Sequence, residues 1–146
     1  MSKIEKVLVT GKTHTTFSKA GNSSGGLDIQ LSTPGNAKLA HDFKAIVPHP
    51  TAEQLFAGAW SACYTAAVEL AAKNMKVTLP PDLAIDIEVD LGQTGDAYFL
   101  QARLNLRAPG LAQNVATELA HAADQICPYS KATRGNIDVV VTATTA

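Results

Sequence analysis

The stretch "TAEQLFAGAWSACYTAAVELAAKN", from Thr51 to Asn74, decides the architecture because it predicts a single long helix. Thr51 followed by Gln54 has the spacing of a capping box, in which each side chain bonds the other residue's backbone N–H at a helix N-terminus. No breaker follows before about Asn74, so the helix is predicted to run that far. It would be the central element of the domain.

This helix has many small residues, namely Ala57, Gly58, Ala59, Ala62, Ala66 and Ala67. They would let another backbone approach closely, which favours burial against a second helix or a second subunit. The glycine strengthens this interpretation, because a glycine inside a helix costs up to about 1 kcal/mol relative to alanine unless a contact compensates. The alternative is that alanine occurs here only because it is the best helix former.

Four segments before and after the helix predict two strand hairpins. Ile4–Thr16 is rich in valine and threonine, and Leu27–Leu31 alternates apolar and polar residues, with the turn residues of Lys19–Gly26 between them. Leu83–Leu91 and Leu100–Ala108 alternate strictly, with acidic side chains on the first and basic ones on the second. These opposing rows would stabilise an antiparallel pair by roughly 0.2–1 kcal/mol per contact.

The remaining segments complete the order of elements. Thr33–Pro50 has no clear period and is predicted to be a long loop, of the kind that is often functional. Residues from Leu111 to Ile126 follow a helical period that Pro128 ends, and Ile137–Thr142 predicts a last strand. The chain is therefore predicted to be one α+β domain of residues 1–146, with an antiparallel sheet packed on the long helix and a second helix.

Composition excludes several classes of function. The 146 residues carry a formal net charge of −1 with scattered basic side chains, which argues against a nucleic-acid partner. No apolar run approaches the roughly 20 residues that span a membrane, and no signal peptide is evident, so the cytoplasm is the predicted location. The four histidines lack the spacing of metal ligands, and no metal is expected.

The chain has two cysteines, Cys63 in the predicted central helix and Cys127 near the end of the second helix. Two cysteines do not make a disulfide framework, and in the cytoplasm a disulfide is more often catalytic or sensing than structural. A cysteine on the inner face of an apolar helix is nevertheless more often an inert small hydrophobe than a nucleophile. From composition alone, both alternatives stay open.

Five segments, in order and over essentially the whole chain, change that balance. They are "MSKIEKVLVTG", "GLDIQLSTP", "PTAEQLFAGAWSACY", "VDLGQTG" and "ICPYSKATRGNIDV". Together they resemble the organic hydroperoxide resistance branch of the Ohr/OsmC family. The resemblance implies an OsmC-like fold in an intertwined homodimer, with Cys63 as the peroxidatic thiol and Cys127 as the thiol that resolves it.

The resemblance also implies a cation beside the attacking thiol. The family has an arginine on the early hairpin, held by a glutamate that matches Glu53, but here the arginine's position falls at or next to Lys19. Lysine can act as a point charge, although it lacks the planar fork of arginine; the alternative is a solvated turn residue. Because ten residues separate Glu53 from Cys63, about 15 Å along a straight helix, either the helix is kinked and the cation spans the gap, or Glu53 comes from a second chain. Glu53 is alternatively only a carboxylate at a helix N-terminus.

The expected function is a thiol-dependent peroxidase that reduces organic hydroperoxides to alcohols, without metal or organic cofactor. Six aromatic side chains could wall an apolar substrate pocket, namely Phe17, Phe43, Phe56, Trp60, Tyr64 and Tyr129. Trp60, three residues before Cys63, and Tyr129, two residues after Cys127, are the predicted pocket residues, the alternative being plain core. The resemblance implies a dithiol reductant on a lipoylated protein. Two rival functions keep the fold: a binding protein for small apolar or oxidised molecules, and a thiol redox sensor.

Overall fold

The computed structural model describes residues 3–17, 27–31 and 50–146, and eight helices and strands follow one another in these ranges. They are β1 (Lys6–Phe17), β2 (Leu27–Leu31), α1 (Ala52–Met75), β3 (Ala84–Thr94), β4 (Ala97–Arg107), α2 (Gln113–Ile126), α3 (Pro128–Thr133) and β5 (Asp138–Thr144). The predicted turn of residues 19–26 lies outside the described residues, as does the predicted loop of residues 33–50 except for Pro50. The predicted α+β class is confirmed, with one short helix, α3, added.

The ends of α1 follow from local chemistry. The Thr51 side chain accepts a hydrogen bond from the Gln54 N–H, and the Gln54 side chain accepts one from the Thr51 N–H at 2.7 Å, so the predicted capping box is confirmed. At the other end, Lys76 takes a left-handed conformation with φ 57° and its N–H bonds the carbonyls of Ala72 and Lys73. A left-handed residue of this kind commonly closes a helix, and it stops α1 after Met75.

The sheet has the strand order β2-β1-β3-β4-β5. Its first three pairings are antiparallel, as predicted, and the β3–β4 hairpin turns at Gly95 with φ 56°. The prediction of a wholly antiparallel sheet is wrong at one strand, because β5 pairs with β4 in parallel. The chain passes through α2 and α3 between these two strands and re-enters the sheet from the end at which β4 began, as a helical crossover does.

One side of α1 is buried and forms the core with the sheet and α2. Trp60, Tyr64 and Val68 are fully buried, and they join apolar residues of β3, β4 and α2 in one cluster. α1 is the one helix of the described residues whose length and composition would suit a membrane crossing, but half of its apolar segment is buried inside the protein. α1 is thus a core helix of the domain.

The small residues of α1 do not share one environment. Ala57 and Ala67 are buried in the core, whereas Ala59 and Ala66 are exposed. A methyl group at Gly58 would meet Leu31 of β2 at 3.4 Å, an ordinary contact. The close approach to α1 occurs at Gly11 of β1, where any Cβ would overlap backbone atoms at the start of α1. The glycine that allows β1 and α1 to pack closely is therefore Gly11 of β1 and not Gly58 of α1.

The face of the sheet away from the helices carries paired charges. Glu88 lies opposite Arg103, as the predicted rows of acidic and basic side chains require, and Arg103 bonds both Glu88 at 2.8 Å and Asp90 at 2.7 Å. Burial opposes the charged form of Asp90, but hydrogen bonds from Arg103, Thr10 and Gln101 outweigh it and lower the pKa of this carboxyl to about 2. The Asp90 side chain is only 3% exposed, so this ion pair is little screened by solvent.

We expect Asp90→Asn to reduce the free energy of unfolding by about 2 kcal/mol at neutral pH, because the folded state holds the carboxylate ionised. The folded pKa lies below the unfolded value of about 3.9, so the contribution is present above that pH and disappears as the pH falls towards 2. Urea denaturation of both proteins at several pH values measures this difference. Glu88→Gln is the matched control, with a smaller loss expected from its more exposed side chain. A difference between wild type and Asp90→Asn that stays constant down to low pH would refute this assignment.

Candidate active site

The two cysteine sulfurs lie together. Cys63 is near the middle of α1, Cys127 is the single residue between α2 and α3, and their Sγ atoms are 3.3 Å apart without a covalent bond. A disulfide has an S–S length of about 2.05 Å, so a shift of little more than 1 Å would join them. The fold therefore brings together two thiols that are 64 positions apart in the chain.

Backbone geometry fixes Cys127 at the junction of two helices. Its extended backbone, with φ −60° and ψ 120°, ends α2 and starts α3, and Pro128 occupies the first turn of α3, where a missing N–H costs nothing. The Cys127 N–H donates to the Ala123 carbonyl, and the Cys127 carbonyl accepts from the Lys131 N–H. The sequence prediction that Pro128 stops the second helix is confirmed, but the same proline also begins a new helix.

The two thiols differ in access. Cys127 is fully buried, whereas Cys63 is half-buried, so Cys63 is the thiol that a molecule from solvent would meet first. Burial raises the pKa of the Cys63 thiol above its ordinary value; the Tyr129 backbone N–H opposes the rise, and the Cys127 side chain adds to it. A raised pKa keeps Cys63 largely protonated at neutral pH, and the thiolate is the nucleophilic form.

The structure describes no cation that offsets this effect. In the described ranges, the groups that act on the pKa of Cys63 are the Tyr129 N–H and Cys127, and neither is positively charged. Arg134 bonds Asp124 at 2.8 Å, and Arg103 bonds the acidic side chains of β3. Lys19, predicted as the cation, lies outside the described residues, so its role stays a prediction.

Glu53 lies in the first turn of α1 and is half-buried. Because α1 is helical from Ala52 to Met75, ten residues place Glu53 about 15 Å from Cys63 along the helix axis. A direct contact between the two side chains of one chain is excluded at that separation. The predicted role of Glu53, which is to hold the cation, stays a prediction.

The two predicted pocket residues occupy different positions. Trp60 is fully buried, packs edge-to-face against Phe56 at 5.8 Å, and its Nε1–H donates to the Ser130 Oγ at 3.1 Å. Tyr129 is 47% exposed, and its backbone N–H acts on the Cys63 sulfur. Tyr129 is thus at the accessible side of the thiols and Trp60 at their core side. Contact of either ring with a substrate stays a prediction.

The sequence did not indicate two hydrogen bonds near the thiols, one to Ser130 and one from Tyr64, although Tyr64 was among the aromatic residues considered for the pocket. Ser130 accepts the Trp60 hydrogen bond, and Tyr64, next to Cys63, donates from its hydroxyl to the Ala120 carbonyl at 2.8 Å. Burial raises the pKa of Tyr64, which keeps its hydroxyl protonated as a donor. The contact partners are 70 and 56 positions apart, so no local sequence pattern points to them.

A cavity of about 580 Å³ lies elsewhere, on the face of the sheet away from the helices. Polar and charged side chains of β1, β3 and β4 line it, including Lys12, Glu88 and Arg103, and neither cysteine is among them. These three side chains pair with one another through Glu88. In the same described ranges, no three side chains of His, Cys, Asp or Glu are grouped as metal ligands would be.

Comparison with known proteins shows similarity over nearly the whole chain. The sequence profile of the OsmC-like protein family matches residues 43–142. The organic hydroperoxide resistance protein of Xanthomonas axonopodis pv. citri is 36% identical over 145 residues, which are 97% of this chain and 99% of that protein. The resemblance inferred from sequence motifs is confirmed.

Solved structures share the fold. The organic hydroperoxide resistance protein OhrB of Bacillus subtilis is 28% identical with a TM-score of 0.64, and the match covers 90% of this chain and 97% of that one. An organic hydroperoxide resistance protein from Legionella pneumophila is 29% identical with a TM-score of 0.64, covering 91% of this chain and 96% of that one. The predicted OsmC-like fold is therefore confirmed.

Proposed function

We propose that this chain, which belongs to the OsmC-like protein family, is a thiol-dependent peroxidase that reduces organic hydroperoxides to alcohols. The observation that carries the proposal is the 3.3 Å separation of the Cys63 and Cys127 sulfurs, with one thiol accessible and the other buried. The names of its relatives in Xanthomonas and Bacillus, organic hydroperoxide resistance proteins, support the substrate class.

The proposed reaction has two steps on the protein. The Cys63 thiolate attacks the O–O bond of the hydroperoxide, which leaves Cys63 as a sulfenic acid and releases the alcohol once the leaving oxygen is protonated. The Cys127 thiol then condenses with the sulfenic acid to give a disulfide and water. A dithiol reductant, which we expect on a lipoylated protein, returns both cysteines to thiols. The cycle needs no metal or organic cofactor.

Thiolate formation is the demanding requirement of this reaction, because burial raises the pKa of Cys63. We propose that a cation, Lys19 in this chain, offsets the rise when the active site is complete, and that Glu53 orients it. The Tyr129 N–H already favours the anion and would assist. On this account Tyr129, with Trp60 behind it, borders the alkyl part of the substrate.

We also propose that the active form is a homodimer. The side of α1 on which Cys63 opens carries Leu55 and Leu70, 56% and 47% exposed, with exposed Ala59 and Ala66 between them. Contact with a second copy would remove this apolar surface from water at roughly 25 cal/mol per Å². It would also allow Glu53 of one chain to approach the thiols of the other, which the distance within one chain forbids. A cytoplasmic location, where thiols are kept reduced, suits the proposed cycle.

A second candidate is a binding protein for small apolar or oxidised molecules. The observation that favours it is the raised pKa of Cys63, since a protonated thiol is a poor nucleophile. Such a protein would keep both thiols in the presence of a hydroperoxide. A redox sensor would instead oxidise rapidly and turn over slowly.

Steady-state turnover tests the proposed function. Reduced protein, dihydrolipoate and cumene hydroperoxide should give catalytic formation of the alcohol, faster with this bulky substrate than with hydrogen peroxide. Dihydrolipoate and peroxide without protein provide the background rate. A protein-dependent rate no higher than this background would reject the peroxidase and leave the binding protein or the sensor.

A further inference from the structure

A buried hydrogen bond lies beside the two thiols, and the reaction described above does not use it. The Trp60 Nε1–H donates to the Ser130 Oγ at 3.1 Å, and the two residues are 0% and 3% exposed. Trp60 precedes Cys63 by three residues in α1, and Ser130 follows Cys127 by three residues in α3. The bond therefore connects the two segments that carry the sulfurs, close to where they meet.

α3 is a short helix, and its position depends on contacts with the neighbouring helices. It has only six residues, and Tyr129 and Lys131, on either side of Ser130, are exposed. The bond from the Arg134 N–H to the Ser130 carbonyl is internal to the α3 segment, as is the bond from the Thr133 hydroxyl. Neither of them connects α3 to the rest of the protein. Its links to the neighbouring helices in the described residues include the Tyr129 N–H, which acts on the Cys63 sulfur, and Arg134 just after α3, which bonds Asp124 of α2 at 2.8 Å. The Trp60 bond differs from these in that a buried side chain of α3, Ser130, receives it.

A different contact holds α2, the helix that precedes Cys127. The Tyr64 hydroxyl of α1 donates to the Ala120 carbonyl of α2 at 2.8 Å. Trp60 and Tyr64 therefore hold α3 and α2, respectively, from the same helix that carries Cys63. Loss of the Trp60–Ser130 bond would weaken the hold of α1 on α3, whereas the Tyr64 bond would still hold α2.

We propose that the Trp60–Ser130 hydrogen bond positions Cys127 for disulfide closure, so that Ser130 is a positioning residue for the second step of the reaction. This inference rests on the proposed function. In that step the S–O bond of the Cys63 sulfenic acid breaks, an S–S bond to Cys127 forms, and the hydroxyl leaves as water with the Cys127 proton. The hydroperoxide has already supplied the oxidising equivalents, so the step needs no other oxidant.

Distance explains why this position matters. The sulfurs must close from 3.3 Å to about 2.05 Å, so displacement of α3 by even 1 Å would add substantially to the movement required. Closure competes with further oxidation of the sulfenic acid, which is irreversible for most proteins. A bond that holds α3 in place would therefore favour the reversible product.

Ser130→Ala tests the inference. Dimedone captures sulfenic acid in competition with closure, so the fraction of Cys63 that it captures reports the closure rate independently of how well the peroxide binds. We expect closure about tenfold slower in Ser130→Ala, in line with loss of one buried hydrogen bond. The first oxidation step should keep its rate, since Ser130 is not part of the attacking group.

Thr15→Val is the matched control. The buried hydroxyls of Thr15 and Ser61 hydrogen-bond each other, and this pair ties the same helix, α1, to β1 instead of α3. Its loss should lower stability to a similar extent and leave the captured fraction unchanged. The inference would be overturned if dimedone captured the same fraction of Cys63 in wild type, Ser130→Ala and Thr15→Val. It would also be overturned if the captured fraction rose equally in both variants.

Trp60→Phe provides a second route to the same answer, because it removes the N–H and keeps an aromatic ring. If the bond is responsible, Trp60→Phe, Ser130→Ala and the double variant should slow closure by similar factors, as expected for partners in one interaction. If the factor by which closure slows in the double variant is instead the product of the two single factors, the two residues act independently and the shared bond is not the cause. If Ser130→Ala does not fold, the comparison of Trp60→Phe with Thr15→Val decides the question.

A peroxide-free measurement separates this inference from the proposed function. Exchange with oxidised dithiothreitol reports the tendency of Cys63 and Cys127 to pair, and it should fall about tenfold in Ser130→Ala. If wild type fails to turn over hydroperoxides but this difference persists, the function is wrong and the positioning role stands. If wild type turns over and all variants pair alike, only the positioning role is rejected.

Discussion

Replacing Cys63 with serine is expected to lower hydroperoxide turnover by roughly three orders of magnitude or more, the scale typical of removing a catalytic nucleophile. A serine hydroxyl is not ionised at neutral pH and attacks peroxide oxygen poorly. A thiol can ionise, and the sulfur of the resulting thiolate is polarisable and nucleophilic. The side chain keeps its size, and Cys63 is only half-buried, so the fold should persist. Alcohol formation from cumene hydroperoxide with dihydrolipoate measures the loss.

The Cys63→Ser variant needs two checks. Its thermal unfolding should stay close to that of wild type, which separates loss of chemistry from loss of structure. Its remaining thiol, Cys127, should react slowly with hydroperoxide because it is fully buried. Turnover unchanged in Cys63→Ser would place the reaction at another group and remove the role assigned to this residue.

Replacing Cys127 should separate the two steps. We expect Cys127→Ala to consume one equivalent of hydroperoxide, accumulate the Cys63 sulfenic acid and then lose turnover with the dithiol by roughly a hundredfold, because no thiol remains to form the intramolecular disulfide. Alanine suits this fully buried position better than a serine hydroxyl would, since an unpartnered buried hydroxyl costs about 1–3 kcal/mol. Mass spectrometry with dimedone identifies the trapped intermediate.

Comparison of Cys127→Ala with Cys127→Ser is the control for packing. Both lack the thiol, so they should lose turnover alike while differing in stability. A Cys127→Ala protein that turns over at the wild-type rate would mean that the reductant attacks the sulfenic acid directly. Cys127 would then have no part in the cycle.

Local signals predicted the elements of the fold well. Thr51 and Gln54 form the predicted cap of α1, and the alternation of β3 and β4 predicted both their pairing and opposing rows of charge, to which Glu88 and Arg103 belong. The direction of β5 could not be predicted in this way, because alternation along a strand does not indicate which way it runs beside its neighbour. Its parallel pairing depends on the path of the chain through α2 and α3.

The site was predicted by resemblance more than by residue pattern. Composition left Cys63 and Cys127 as small core residues or a redox pair, and the fold places their sulfurs 3.3 Å apart. The Trp60–Ser130 bond was not predictable, because it joins residues 70 positions apart that belong to no motif. The small residues of α1 divide between the core, with Ala57 and Ala67, and the exposed side, with Ala59 and Ala66, and this division could not be predicted before the neighbouring elements were known. Burial of the exposed ones against a second subunit stays a prediction.

The most direct test of the central claim is oxidation of the fully reduced protein by one equivalent of cumene hydroperoxide, followed by thiol titration and peptide mapping under non-reducing conditions. We expect rapid loss of both thiols and a single disulfide between Cys63 and Cys127 of the same chain. Two thiols that remain titratable after the hydroperoxide is added, or a disulfide formed only between chains, would contradict it.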